Sequence, residues 1–148
     1  MAKAKGKMSK PATKASGLSF NHAMIYSREV GPALHFYTHQ MGFKLIEEFR
    51  HDEMLVYARL RAPEGDSTIA IHHLEPGKSI PAFEGVRLYF EVKNLETFCK
   101  NLEAAGVKID QPPKLMPWGW KHAYLKDPDG HEISLYWAGP RRFQKTSM

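Results

Sequence analysis

The same order of predicted elements occurs twice in this chain, and this internal repeat restricts the possible folds more than any other feature. Hydrophobic periodicity and turn residues predict a strand, a helix and three further strands in residues 18–74. The same order returns in residues 86–138. One such module has a one-sided sheet and a single helix, so pairing of two modules is needed to bury a core. The sequence therefore predicts an α+β fold built from two βαβββ modules.

In the first module, the helix is the most clearly delimited element. Ser27 is a typical N-cap residue, the helix is predicted to run to about Met41, and Gly42 is expected to end it. The strands predicted around this helix are Leu18–Tyr26, Phe43–Arg50, Met54–Arg61 and Ser67–His73.

The second module is predicted to begin with the strand Val86–Val92. Its helix is expected to start after the N-cap Asn94, to run through Ala105 and to end at Gly106. The buried stripe of this helix is predicted to contain Leu95, Phe98, Leu102 and Ala105. A short strand, Val107–Asp110, and an irregular proline-rich segment up to Pro117 are predicted to follow.

A β-hairpin is predicted to complete the second module. Its strands, Lys121–Lys126 and His131–Trp137, are joined by an Asp-Pro-Asp-Gly turn at residues 127–130. Side chains alternate across a strand, so one face of the last strand is polar and the other is apolar. The polar face carries Glu132, Ser134 and Tyr136, and the apolar face carries Ile133, Leu135 and Trp137.

The net charge of +5 comes from the first residues of the chain. Lysines at five positions in residues 1–17 have no acidic neighbour there, so the other 16 basic residues are balanced by 16 acidic ones. We expect residues 1–17 to be a disordered Lys-rich tail, either solubilising or making weak contacts with nucleic acid. Residues 75–85 are predicted to be a linker and residues 139–148 a C-terminal tail.

The apolar segments and the single cysteine predict a cytoplasmic protein. No apolar run approaches the roughly 20 residues of a membrane span, and no secretory signal is recognisable. Cys99 cannot form an intramolecular disulfide and lies in a helical apolar pattern, so we expect it to pack in the core.

Several motifs resemble the vicinal oxygen chelate superfamily, which includes glyoxalase I, extradiol dioxygenases and the bleomycin and fosfomycin resistance proteins. These are the opening strand with His22, the helix sequence ALHFYTHQMGF, the tryptophan-glycine hairpin and the DPDG turn. The resemblance covers residues 18–138 as a single domain. It implies a cup-shaped mixed sheet around a pocket, and a homodimer, because single-domain members commonly dimerise.

The resemblance also implies four positions for ligands of a divalent metal, one on the first and one on the last strand of each module. These positions fall on His22, Ala70, Arg87 and Ser134. Only His22 is a usual metal ligand, and a guanidinium is always protonated and cannot bind a cation. We therefore expect no cofactor.

A displaced metal site is the alternative. His22, His72 and either Glu91 or Glu132 are predicted to face the pocket, and two histidines with one carboxylate form a known iron site. Such a site would hold iron, zinc, nickel or manganese. It would make the protein a lyase or dioxygenase of this superfamily.

The favoured hypothesis is that the protein binds a small organic molecule, anionic or aromatic, in the cup. Arg87 demands an anionic partner, which is either an internal carboxylate (Glu91 or Glu132) or a carboxylate or phosphate of the ligand. The sequence assigns no catalytic residue and leaves open whether the protein is an enzyme. The residues expected to contact the ligand are His22, Arg87, Tyr89, Trp118, Trp120, Glu132, Ser134 and Tyr136.

Four other residues of the second module are expected to lie away from the ligand. Phe90 and Trp137 should face the core by strand parity. His122 and His131 flank the hairpin and are expected to be surface residues.

Overall fold

The computed structural model describes residues 20–80 and 86–139. Within these ranges, no helix is long and apolar enough to cross a membrane. The predicted N-terminal tail at 1–17, residues 140–148 of the predicted C-terminal tail at 139–148 and residues 81–85 of the predicted linker lie outside the described residues. The elements are β1 (His22–Ser27), α1 (Val30–His35), a π-helical turn (Phe36–Gln40), β2 (Lys44–His51), β3 (Met54–Arg61), β4 (Thr68–His73), β5 (Arg87–Glu91), α2 (Leu95–Ala104), β6 (Ile109–Leu115), β7 (Lys121–Lys126) and β8 (Glu132–Trp137).

The strands form two four-stranded mixed sheets with the same topology. The first sheet has the order β1-β4-β3-β2 and the second β5-β8-β7-β6. In each sheet the first and last strands of the module pair in parallel, and the remaining pairs are antiparallel. The predicted α+β fold with two βαβββ modules is confirmed.

One face of each sheet packs into the apolar core. Leu60 and Ile71 of the first sheet and Ile133 and Leu135 of the second are fully buried there. The modules also meet at the core, where the rings of Phe43 and Phe90 make an edge contact with centroids 5.5 Å apart. Phe90 and Trp137 pack against this core, as strand parity predicts. The opposite face of each sheet carries polar and aromatic side chains and is called the open face below.

The helix of the first module differs from its prediction at both ends. It begins at Val30 rather than after Ser27, and its last part is the π-helical turn rather than continuous α-helix. Ser27 is not an N-cap, because its hydroxyl donates a hydrogen bond to the carboxylate of Asp129, 2.6 Å away. Gly42 does end the helical segment, with a φ of 86° that side chains disfavour.

The second helix has the predicted N-cap position but a different buried stripe. Asn94 precedes α2 but makes no side-chain capping hydrogen bond. Ala105 is exposed rather than buried, because the helix has ended before it, while Cys99 is buried in the core as expected. The carbonyl of Ala105 accepts a hydrogen bond from Gln40 of the first module.

Two strand predictions also need correction. The first strand begins at His22, and residues 18 and 19 of the predicted strand lie outside the described ones. The proline-rich segment is not irregular: β6 extends from Ile109 to Leu115 and includes Pro112 and Pro113. It is an edge strand with two register shifts, which is where a sheet tolerates residues without an N–H.

The DPDG turn joins the two modules through two buried aspartates. Asp127 accepts a hydrogen bond from the phenol of Tyr37, 2.8 Å away in the first module. Asp129 accepts hydrogen bonds from the hydroxyl of Ser27 and from the backbone N–H of Arg28, the latter 2.8 Å away. These contacts span about 90 to 100 residues of sequence, so a turn within one hairpin also positions the opposite module.

His131 stabilises this turn and is not the surface residue that the sequence predicts. Its Nδ1 lies 2.7 Å from Asp127, and its side chain is only 19% exposed. Hydrogen bonding to Asp127 raises the pKa of His131 despite burial. Burial opposes ionisation of Asp127, but His131 and Tyr37 together hold the pKa of that carboxyl below its usual value.

We expect Asp129→Ala to lower the free energy of unfolding by about 3 kcal/mol, because it leaves a buried hydroxyl and a backbone N–H without their charged acceptor. Urea unfolding followed by circular dichroism measures this change. The matched control is Asp110→Ala, which removes a carboxylate paired with Lys126 on the surface, and it should change stability little. Equal effects of the two substitutions would contradict the role of the turn.

Candidate functional site

The open face of the second sheet gathers six aromatic side chains, called the aromatic cluster below. Strand pairing brings most of them together: His122 of β7 lies opposite Tyr136 of β8, and both Tyr89 of β5 and Tyr124 of β7 pair with Ser134 of β8. The turn before β7 adds two tryptophans. The aromatic cluster consists of Tyr89, Trp118, Trp120, His122, Tyr124 and Tyr136.

Three rings of the aromatic cluster are nearly parallel. The planes of Trp120 and Tyr136 differ by 7°, with centroids 5.2 Å apart, and those of His122 and Tyr136 differ by 22° at 5.6 Å. Trp120 and His122 are 16° apart in orientation. Parallel rings on a sheet surface present π faces on which a flat ligand can stack.

Two further rings stand nearly perpendicular to this set. Trp118 meets His122 at 75° with centroids 5.5 Å apart, and Tyr89 meets His122 at 88° and 6.2 Å. Both side chains are more than half exposed. The perpendicular rings therefore form walls beside the parallel ones, and solvent reaches them.

His122 is buried at the centre of the aromatic cluster, so the expectation of a surface residue is wrong. It is only 3% exposed, and its Nδ1 shares a hydrogen bond of 2.8 Å with the hydroxyl of Ser134, which is fully buried. Burial, and secondarily the positive charge of Arg87, lower the pKa of His122 and favour the neutral ring. The register of the hairpin could have placed His122 on the open face, because the DPDG turn sets His122 opposite Tyr136.

Arg87 is held by an internal ion pair, as one of the two sequence interpretations predicts. Its guanidinium lies 3.3 Å from the carboxylate of Glu132 and 4.8 Å from the ring centre of Tyr124. Burial alone would lower the pKa of Arg87, but Glu132 and Tyr89 outweigh it and raise that pKa. The carboxylate thus offsets much of the positive charge beside the aromatic cluster.

The open face of the first sheet carries the histidines considered as metal ligands. His22 shares a hydrogen bond of 2.6 Å with the side chain of Asn21. The ring of His72 lies between those of Tyr26 and Tyr57, at centroid distances of 6.0 and 6.3 Å.

The two histidines of the displaced metal set lie far apart on the first sheet. Parallel pairing sets His22 opposite Thr68 and His72 opposite Tyr26, four residues further along, so the two histidines are roughly 13 Å apart along the sheet. Glu91 belongs to the second sheet. The two histidines are therefore too far apart to bind one metal ion, and among the described residues they form no group of three close donors with Glu91 or Glu132.

Among the described residues, the one group of three potential metal ligands is Asp127, Asp129 and His131. The oxygens of both carboxylates already accept hydrogen bonds from Tyr37, Ser27, Arg28 and the turn itself. The hydrogen bonds that dock the modules therefore explain why these three side chains lie together. The residues that the structure describes do not fit the metal that the resemblance implies.

A surface pocket of about 530 Å³ lies beside α1, away from both open faces. Leu34, Phe43 and Leu45 give it an apolar lining, and the stacked rings of His35 and His39 border it. The hydroxyl of Thr38 in this pocket donates a hydrogen bond to the backbone carbonyl of Leu34. Since no buried polar group lacks a partner in this pocket, the aromatic cluster is the stronger candidate site.

Comparison with known families agrees with this architecture. The model of the Glyoxalase/Bleomycin resistance protein/Dioxygenase superfamily matches residues 19–135, which is most of the chain. The chain belongs to this superfamily. The resemblance inferred from the helix, hairpin and turn motifs is thereby confirmed.

Curated relatives of the chain are lyases at low identity. Glyoxalase I of Saccharomyces cerevisiae is 28% identical over 141 residues, covering 80% of this chain and 43% of that protein. A probable lactoylglutathione lyase of Vibrio cholerae is 25% identical over 119 residues, covering 77% of this chain and 86% of that protein. The chain also matches the lactoylglutathione lyase of Schizosaccharomyces pombe, at 27% identity over 149 residues and 48% of that protein. It therefore spans less than half the length of both yeast relatives.

Solved structures of the superfamily share the fold. A member from Sphaerobacter thermophilus has a TM-score of 0.68 and 23% identity, covering 82% of this chain and 98% of that chain. TnmS3, an antibiotic binding protein from Streptomyces sp. CB03234, has a TM-score of 0.66 and 23% identity, covering 81% and 96%. At this identity the likeness concerns the fold alone.

Proposed function

We propose that this protein binds a small aromatic molecule on the open face of its second sheet. The observation that carries the proposal is the aromatic cluster, in which three nearly parallel rings lie beside two nearly perpendicular ones. Stacked aromatic pairs add about 0.5–1.5 kcal/mol beyond area burial, so such a surface favours flat aromatic ligands over aliphatic ones.

The charges beside the aromatic cluster refine the ligand class. The sequence is consistent with an anionic or an aromatic ligand. Binding of an anionic ligand requires a guanidinium that is free to pair with that ligand. Glu132 already pairs with Arg87. A neutral aromatic ligand is therefore the better match, and an anionic one would have to compete with Glu132 for the guanidinium.

The solved relatives lend support to a binding function. TnmS3, which has the same fold, is an antibiotic binding protein. The fold hosts both binding proteins and enzymes, so the chemistry of the open face decides between them.

We expect the protein to bind 2-naphthol more tightly than its saturated analogue, decahydro-2-naphthol, because only the aromatic ring can stack. Isothermal titration calorimetry measures both affinities. Trp120→Leu should weaken 2-naphthol binding at least about tenfold. Trp137→Leu is the matched control, since this tryptophan packs against the core on the other face. Lack of binding by 2-naphthol, or equal affinity for both compounds, would contradict the proposal.

A metal-dependent lyase or dioxygenase is the second candidate, and the lyase relatives favour it. The chemistry of the chain opposes it, since Ala70, Arg87 and Ser134 stand at the positions where ligands are expected. We therefore propose that the protein has no metal cofactor.

Elemental mass spectrometry tests this second candidate. We expect less than about a tenth of an equivalent of iron, nickel, zinc or manganese in protein purified without chelator and then incubated with each metal. About one equivalent that is lost in His22→Ala would favour the lyase or dioxygenase. Asn21→Ala is a control for the neighbouring hydrogen bond, because it removes the partner of His22 and keeps the imidazole.

We also propose that the protein is a homodimer. The open face of the first sheet exposes Met24, Tyr26 and Phe49, which are 43%, 45% and 58% accessible. Apolar groups exposed on one sheet face are typical of surfaces that a partner covers. Sedimentation equilibrium should give twice the chain mass, and Phe49→Glu should shift the protein towards monomer. A monomeric wild-type protein at micromolar concentration would contradict this proposal.

A further inference from the structure

We infer that His122 is the polar recognition residue of this site, and that the ligand is a flat aromatic molecule with a hydroxyl or carbonyl oxygen on its ring. This inference rests on the proposed function, since it concerns the ligand of the aromatic cluster. One buried nitrogen would then select among aromatic molecules, because stacking alone does not distinguish them.

The Nε2 atom of His122 is buried and has no hydrogen-bond partner among the described residues. Buried polar atoms nearly always have a partner, and an unpaired one has lost its hydration without compensation. The residue is 97% buried, so bulk water does not solvate the ring. A ligand atom that bonds to Nε2 would remove this unfavourable state.

The other side of the His122 ring is fixed. Nδ1 shares its hydrogen bond with Ser134, and Tyr136 lies nearly parallel to the ring. Whichever nitrogen carries the proton, this arrangement leaves Nε2 as the one that can serve a ligand. A neutral imidazole donates or accepts one hydrogen bond there, which suits an uncharged oxygen.

A second buried nitrogen without a partner lies on the neighbouring strand. Gln111 of β6 pairs with Tyr124 of β7, a member of the aromatic cluster, and its Nε2 is buried without a hydrogen-bond partner among the described residues. An amide nitrogen is a donor and requires an acceptor. Two such nitrogens in the same sheet favour a ligand that brings oxygen atoms rather than a pure hydrocarbon.

Two of the rings that contact His122 belong to exposed side chains. Trp118 and Tyr89 stand edge-on to the imidazole and are 53% and 57% accessible. Exposed side chains change rotamer on the picosecond to nanosecond scale. Rotation of either ring would open a path to Nε2 while the buried residues Ser134 and His122 keep their positions.

The test compares 2-naphthol with naphthalene, two probes that differ by one hydroxyl. We expect the wild-type protein to bind 2-naphthol at least about tenfold more tightly, and His122→Phe to lose this preference while still binding naphthalene. Calorimetry gives the affinities. Long-range ¹H–¹⁵N spectra of the imidazoles should show the Nε2 signal of His122 shifting on addition of 2-naphthol and not of naphthalene.

His51→Phe is the matched control, because this histidine is exposed in the β2–β3 hairpin, and it should keep the preference. If His122→Phe does not fold, as judged by circular dichroism, His122→Gln serves in its place and should retain part of the preference. Equal binding of both probes by wild type and variant would overturn the inference and leave the aromatic site intact. Failure of both probes to bind would overturn the proposed function together with the inference.

Discussion

The docking of the DPDG turn into the first module is the interaction on which the rest of the structure depends. Asp127 and Asp129 lie in one hairpin turn, yet they accept hydrogen bonds from Tyr37, Ser27 and Arg28 of the other module. Each module alone would leave one apolar sheet face poorly covered. The turn fixes how the two modules share a core, and its own hairpin carries His122, Ser134 and Tyr136 to the open face.

The two faces of the second sheet differ in their chemistry. The face towards the core carries apolar side chains, both aliphatic and aromatic, whereas the open face carries the aromatic cluster, the Arg87–Glu132 ion pair and the Nε2 of His122, which has no hydrogen-bond partner among the described residues. A metal site needs several close donors of the right chemistry. The chain has a methyl group, a guanidinium and a hydroxyl where the resemblance places such donors.

Local patterns predicted most of the fold, and they failed where distant contacts override local preference. The helix-ending glycines and the strand faces follow from periodicity and backbone sterics, and they are confirmed. Ser27 has the side chain of an N-cap, but a carboxylate 102 residues away binds its hydroxyl instead. Pro112 and Pro113 indicate an irregular segment, but the edge of the sheet accommodates them in β6.

The sequence by itself determined the repeat, the family, the inward-facing residues of β5 and β8 and the poor match to a metal site, because these depend on alternation, turn chemistry and side-chain type. Only the tertiary structure decided which partner Arg87 takes, that His122 is buried against Ser134, and that the second nitrogen of His122 has no partner among the described residues. These properties arise from distances between strands that are far apart in the chain. Hydrogen bonding and burial depend on those distances, and no local pattern encodes them.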